Sequence, residues 1–270
     1  MKNTLPIIAV ILLLQVSCNK NKVENSSASS TKENISKNPE KFTVDSVKVD
    51  DSIKIDKNLT ATFSSSVLVF AQIKDKVLLD SIYAREEIVT SDYSKENILE
   101  KLNAKKNQLF EETKASIKDY KPNFKQTWTE NSQMKLFSHE NDLLTLVYTG
   151  DGYSGGAHGY YYEFYDIFDL KNNKKIQLSE VVIDSKDTIW SKILMDNFLK
   201  NDLENGQAQM LLVKDIPLND NFYFDKDNLY FLYNQYEIAA YAAGPVLIKI
   251  PFSTVKPLMK PEMKTRLGLE

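Results

Sequence analysis

The stretch Tyr148–Leu170, YTGDGYSGGAHGYYYEFYDIFDL, constrains this chain more than any other. Gly150, Gly152, Gly155, Gly156, Gly159 and one of the two histidines, His158, run straight into an alternating aromatic segment. Glycine reaches φ > 0 without a Cβ penalty, so the cluster predicts a sharply turned loop. In the segment that follows, Tyr160, Tyr162, Phe164, Asp166, Phe168 and Leu170 share one face at a period of two. Tyr161, Glu163, Tyr165, Ile167 and Asp169 share the other, so this is a strand. Tyr160, Tyr161 and Tyr162 alternate faces, and at least one must point away from a core.

The same logic orders the rest of the chain. Asn58–Ile73 alternates and is β-branched, with Thr62, Ser64, Ser66 and Leu68 on one face. Asp92 or Ser94 can cap a helix to about Asp119, with Ile98, Leu102, Leu109, Thr113 and Ile117 as its stripe. Gln126–Ser138 and Leu143–Thr149 read as strands joined by the polar turn His139–Asp142, a hairpin. A second helix is expected over Asp187–Asn205, with Gly206 as its C-cap. Short strands follow at Phe222–Phe224, Leu229–Tyr233 and Val246–Ile250, the last entered through Gly244-Pro245. Hairpin spacings dominate, so the fold class expected is α+β. It comprises an antiparallel sheet with helices on one face, in two sequential halves at 41–149 and 150–270.

The N-terminus predicts export. Lys2 precedes the apolar run Leu5–Leu14, which is too short to span a bilayer, where about 20 residues are needed. It ends at Val16-Ser17-Cys18, which resembles a bacterial lipobox, with Gln15 in place of the usual aliphatic residue. That resemblance implies a signal peptide over 1–17 and a lipid on Cys18, the membrane contact of the mature chain. Asn19, rather than aspartate, points to the outer membrane. Residues 18–40 are Asn, Lys, Ser and Glu with almost no large apolar side chain, and they read as a flexible tether. Cys18 is the only cysteine, so the exported domain has no intramolecular disulfide. A net charge of −3 with mixed signs and no basic stripe disfavours nucleic acid as a partner.

Catalytic patterns are not recognisable. His139 and His158 have no HxxxH or HExxH spacing, so no metal site and no cofactor is expected. Ser154-Gly155-Gly156-Ala157-His158 is not a GxSxG nucleophile elbow. The glycines form neither GxGxxG nor a phosphate loop, since a strand follows them. Three readings of His158 stand side by side: a backbone hydrogen bond within a tight loop, a binding contact, or a catalytic role beside Ser154 and a carboxylate such as Asp151 or Asp169. Tyr153 and the cluster Tyr230, Tyr233, Tyr236 and Tyr241 are either rim packing or recognition surface.

The loop segment TGDGYSGGAHGYYYEFYDIFDLKNNKKIQLSEVV is followed, after a helix, by FYFDKDNLYFLYNQYEIAAYAAGPVLIKIPFSTV. Together they resemble the C-terminal module shared by RsiV-type anti-sigma factors and PdaC-type peptidoglycan deacetylases. Gly155-Gly156-Ala157-His158, Phe168-Asp169-Leu170, Tyr236–Ala239 and Gly244-Pro245 carry the match. The resemblance covers about Thr145–Leu258. In the anti-sigma relatives this module is a lysozyme receptor. The resemblance therefore implies a free-standing lipoprotein form of the binding half, without a signalling output.

The resulting expectation is a non-catalytic cell-envelope binding module whose partner is a muramidase-type protein or peptidoglycan. Tyr153, Ser154, His158, Tyr161, Tyr236 and Tyr241 are the candidate binding residues, and Gly155, Gly156 and Gly244 the structural ones. The rivals are an enzyme acting on cell-wall glycan through an unrecognised carboxylate pair, and a structural envelope protein with a protein partner.

Overall fold

Period-two alternation sets the layers. The computed structural model describes residues 42–118, 121–202 and 206–269, so the expected signal peptide, Cys18 and the tether lie outside the described residues. Strands β1 (Val44–Lys54) and β2 (Leu59–Phe70) pair antiparallel. In β2, Leu59, Ala61, Phe63, Ser65 and Val67 are buried, while the alternate residues are half-buried. Helices α1 (Lys76–Tyr83) and α2 (Lys95–Ser116) belong to the layer over that buried face. Asp75 caps α1 by accepting from Leu78 N–H at 2.8 Å, and Ser94 caps α2 by accepting from Asn97 N–H at 3.3 Å. Ile98, Leu102, Phe110 and Thr113 of α2 are buried, and Leu109 and Ile117 flank them half-buried.

The chain re-enters the sheet as β3 (Gln126–Glu140), β4 (Leu143–Tyr153), β5 (Tyr160–Asp169) and the short β6 (Lys174–Lys175). The order is β1-β2-β3-β4-β5-β6, antiparallel except that β2 and β3 run parallel. A parallel pair needs a crossover, and α1 and α2 lie within it. Between β3 and β4, Asn141 and Asp142 both hold positive φ, 54° and 58°, as a two-residue hairpin turn of right-handed twist requires. At this hairpin end the Phe42 ring lies 4.2 Å from that of His139.

The second part of the chain is shorter in its elements. A single turn, α3 (Leu178–Val181), and helix α4 (Ile189–Asn201) precede a three-stranded antiparallel sheet of β7 (Phe222–Phe224), β8 (Asn228–Tyr233) and β9 (Val246–Pro251). The turn α5 (Phe252–Val255) and helix α6 (Pro261–Leu267) follow. Leu143 of β4 and Ile167 of β5 join the core formed by α4, β7, β8 and β9. Val147 and Tyr165 meet Tyr223 and Leu232 beside it, with the Tyr165 and Tyr223 rings stacked at 4.0 Å. Phe168, Leu144, Leu146 and Tyr148 face the opposite way, into the α1–α2 core. The first sheet is therefore covered by helices on one side and, over β4 and β5 only, by the second sheet on the other.

This is an α+β architecture, with details that differ from the expectation. The first sheet runs on to Lys175, so residues 149 and 150 lie inside β4. Helix α4 ends at Asn201, where Asp202 turns its carboxylate onto the N–H groups of Gln207 and Ala208 at 2.8 and 2.7 Å. Gly206, with φ 65°, opens the 3-10 turn Gln207–Met210 instead of closing the helix. Among the described residues, no helix is long and apolar enough to cross a membrane.

Candidate functional site

The glycine-rich loop hangs between β4 and β5. Gly155 and Gly156 hold φ at 94° and 93°, a region an L side chain enters only with strain. Gly159 presses on the Gly152 carbonyl oxygen, where a methyl group would overlap it. Gly155 lies against the Trp128 indole of β3. Tyr153 donates its hydroxyl to the Gly156 carbonyl at 3.1 Å and so ties the loop to the strand end. Across β4 and β5, Gly152 faces Tyr160 and Gly150 faces Tyr162. The two rings, parallel within 3°, lie over the backbone that the glycines leave bare.

His158 leaves this loop and meets the second part of the chain. Its ring stacks on Tyr241 with centroids 4.0 Å apart and planes 25° apart. Its Nδ1 lies 2.8 Å from the Gly159 carbonyl, which can only accept, so in the neutral ring Nδ1 carries the proton. Nε2 is then an acceptor, and the Tyr236 hydroxyl approaches it at 3.4 Å. Tyr236 stands in a turn closed by Glu237 N–H donating to Asn234 O at 3.1 Å, with φ 69°. A bulky residue at positive φ is strained, and such strain collects at functional positions. Tyr236 is also 58% exposed, so core packing does not explain its presence. Leu212, 63% exposed, is joined to the same segment by its N–H bond to Ile238 O at 2.8 Å. Gly244, with φ 68°, ends the turn Tyr241–Ala243 that presents Tyr241.

The structure thus brings His158, Tyr236 and Tyr241 together and gives Tyr153, Gly155, Gly156 and Gly244 supporting places. Ser154 is exposed and takes no part in the cluster. Tyr161 sits on the sheet beside it. Its N–H donates to Gln235 Oε1 at 3.3 Å and its hydroxyl to Glu163 at 2.6 Å. Burial and the Glu163 carboxylate push the Tyr161 phenol up from its usual value of 10.0. Because β6 reaches only the last residues of β5, the earlier edge of β5 needs other partners. Asn221 and Asn234 supply them, accepting from Tyr165 N–H and Glu163 N–H at 2.8 Å each and donating back to the Glu163 carbonyl.

Sequence reasoning missed a second surface. On the side of the first sheet away from the helices, β1–β4 align short polar side chains in rows. One runs Asp50, Ser64, Asn131, Asp151 and on to Tyr161, and the next Lys48, Ser66, Gln133, Thr149 and on to Glu163. A depression of about 300 Å³ lies over them. The expected face of Thr62, Ser64 and Ser66 was the signal, but only the strand register shows what joins it.

Three buried carboxylates serve the frame. Asp166 takes a two-point bond from Arg85, 2.7 and 2.8 Å, and an ion pair from Lys175 at 2.8 Å. Asp169 is held by Arg266 and by Asn172. Burial alone would raise its pKa, but those bonds hold it well below 3.8. Glu86, only 3% exposed, accepts from Ser132 at 3.1 Å, and burial raises its pKa. Among the described residues no three His, Cys, Asp or Glu side chains gather as a metal-ligand set.

Residues 165–253 match the family model DUF3298, a protein of unknown function. The segment carries a DUF3298 domain. It includes Tyr236, Tyr241 and Gly244, whereas Tyr153–Tyr161 precede it. A solved structure of a DUF3298 family member from Bacteroides fragilis superposes with a TM-score of 0.71 at 19% identity, over 85% of this chain and 98% of that one. A second, a DUF3298 family protein from Pseudomonas aeruginosa, gives 0.53 at 17% identity, over 83% of this chain and 96% of that one. At these identities the likeness shows a shared fold. No curated protein matches the chain.

Proposed function

We propose that this chain is a non-catalytic binding module of the bacterial cell envelope. A lipid on Cys18 holds it there, at the outer membrane, and the His158–Tyr236–Tyr241 cluster engages a muramidase-type protein or peptidoglycan. One observation carries the reading: Tyr236 is a strained, exposed aromatic ring, stationed beside a stacked histidine–tyrosine pair. Tyrosine offers large contact area at low entropy cost, which suits a protein hot spot. The resemblance of Thr145–Leu258 to the lysozyme-receptor module supports the choice of a muramidase.

Calorimetric titration of the full-length protein with a muramidase, at low and moderate salt, tests this. Saturable one-to-one binding at moderate salt is expected, weakened about tenfold or more in Tyr236→Ala. Binding that vanishes with salt reflects only an acidic chain meeting a basic enzyme and defeats the proposal for this partner. Tyr236→Gly separates the roles of the ring. Glycine relieves the positive φ, so thermal stability should hold or rise by up to about 1 kcal/mol while binding falls.

A further inference from the structure

We infer that the open polar face of the first sheet is a second ligand site, and that its ligand is a neutral saccharide chain. The inference extends the binding-module reading but rests on different residues. Ser64 and Ser66 sit mid-strand on β2, where the β-sheet environment favours β-branched and aromatic side chains. Asn131 and Asp151, equally poor strand formers, continue the Ser64 row on β3 and β4. The result is a stepped surface. The two serines form a low floor, and Asn131, Gln133 and Asp151 stand above it around the depression. About 300 Å³ is at the lower end of the range for small-molecule sites, roughly 300–1,000 Å³.

The chemistry of the face selects the ligand. Planar amide and carboxylate groups can each take up adjacent hydroxyls, donating from the amide and accepting on either. Asn131 Nδ2 already donates to Asp151 at 2.9 Å, which fixes both groups in one orientation. Tyr161 ends the same row, and its hydroxyl is committed to Glu163, so the ring is held as a platform for an apolar sugar face. Among the residues lining the depression Lys48 is the one cation, and it pairs with Asp50 at 2.7 Å, so the depression itself does not favour a polyanion. The rows continue across four strands, so the surface fits an extended chain better than a single ring.

The test is a nuclear magnetic resonance titration of the full-length protein with chitotetraose, cellotetraose and maltotetraose. At least one should shift the side-chain amide signals of Asn131 and Gln133 saturably, with Kd near or below about 1 mM. Ser64→Gln, which fills the floor, should weaken that binding at least about tenfold. If Ser64→Gln melts early, Asp151→Ala at an exposed position carries the same expectation. In Tyr236→Ala the saccharide should still shift the Asn131 and Gln133 amides while binding at the His158–Tyr236–Tyr241 cluster weakens, so the two sites fail separately. Unmoved amides with all three sugars at roughly 10 mM overturn the inference. So does unchanged affinity in a folded Ser64→Gln or Asp151→Ala protein.

Discussion

The side of the first sheet that faces away from the helices is two surfaces in one. Over β4 and β5 it presents Leu143, Val147, Tyr165 and Ile167, all buried against the second sheet. Over β1–β3 the same side presents Lys48, Asp50, Ser64, Ser66, Asn131 and Gln133, and among the described residues no second layer covers them. The strands hydrogen-bond across the divide, with one register shift at Leu136/Ser138 of β3, and the two parts differ in the side chains they present. An open face gains nothing from apolar residues and must stay polar to remain single. Its inner strands carry the hydroxyls and amides of Ser64, Ser66, Asn131 and Gln133, while Lys48 and Asp50 stand on the edge strand.

Four tests, some comparing two variants, probe the molecule around this contrast, from the largest effect to the smallest. Ile167→Ala on the covered part should lower unfolding free energy by about 4 kcal/mol, read from urea melts. A similar loss for Thr62→Ala on the open part would erase the distinction.

Arg266→Met should destabilise by about 3 kcal/mol at neutral pH, because it strands the buried Asp169 carboxylate. The pH dependence has a defined sign. In the wild type, the Asp169 pKa lies below its unfolded value, so its contribution is full above about pH 4 and is lost as pH falls toward the folded value. In the variant the chief counterweight to burial is gone. The gap between the two proteins should therefore narrow in urea melts run in acid, and a constant gap would refute the pairing.

Gly156→Val should cost about 1–3 kcal/mol through its φ of 93°, against less than about 0.5 kcal/mol for His158→Ala. Equal melting temperatures for the two variants would show that the loop is held by something other than its backbone. Ser66→Val, on the open part, should leave stability within about 0.5 kcal/mol or raise it slightly. A clear loss would mean that the serine has a structural task.

What the sequence disclosed follows the range of the interactions involved. Period-two runs marked β5, the β3–β4 hairpin and β8 because each strand bears its own record of burial. Ser94 announced α2 through its cap. Strand β1 leaves little mark in the sequence because it is an edge strand with only Val47 and Val49 buried, so its pattern is mostly charge. Helix α1 is eight residues long, too short for its stripe of Leu78, Leu79, Ile82 and Tyr83 to repeat. The parallel β2–β3 pairing leaves no local trace, since a crossover reads as two helices between two strands. The site divides the same way. The loop glycines were visible from composition, but His158 and Tyr236 are 78 residues apart, and only the assembled fold places them in contact.

The contact of the Phe42 ring with His139 gives the molecule a direction. That contact fixes the first described residue at the hairpin end of β4, and the glycine loop springs from the other end. The 11 residues of β4, at about 3.4 Å each, separate the two by roughly 35 Å. The aromatic cluster of His158, Tyr236 and Tyr241 therefore lies by the opposite end of the sheet from Phe42.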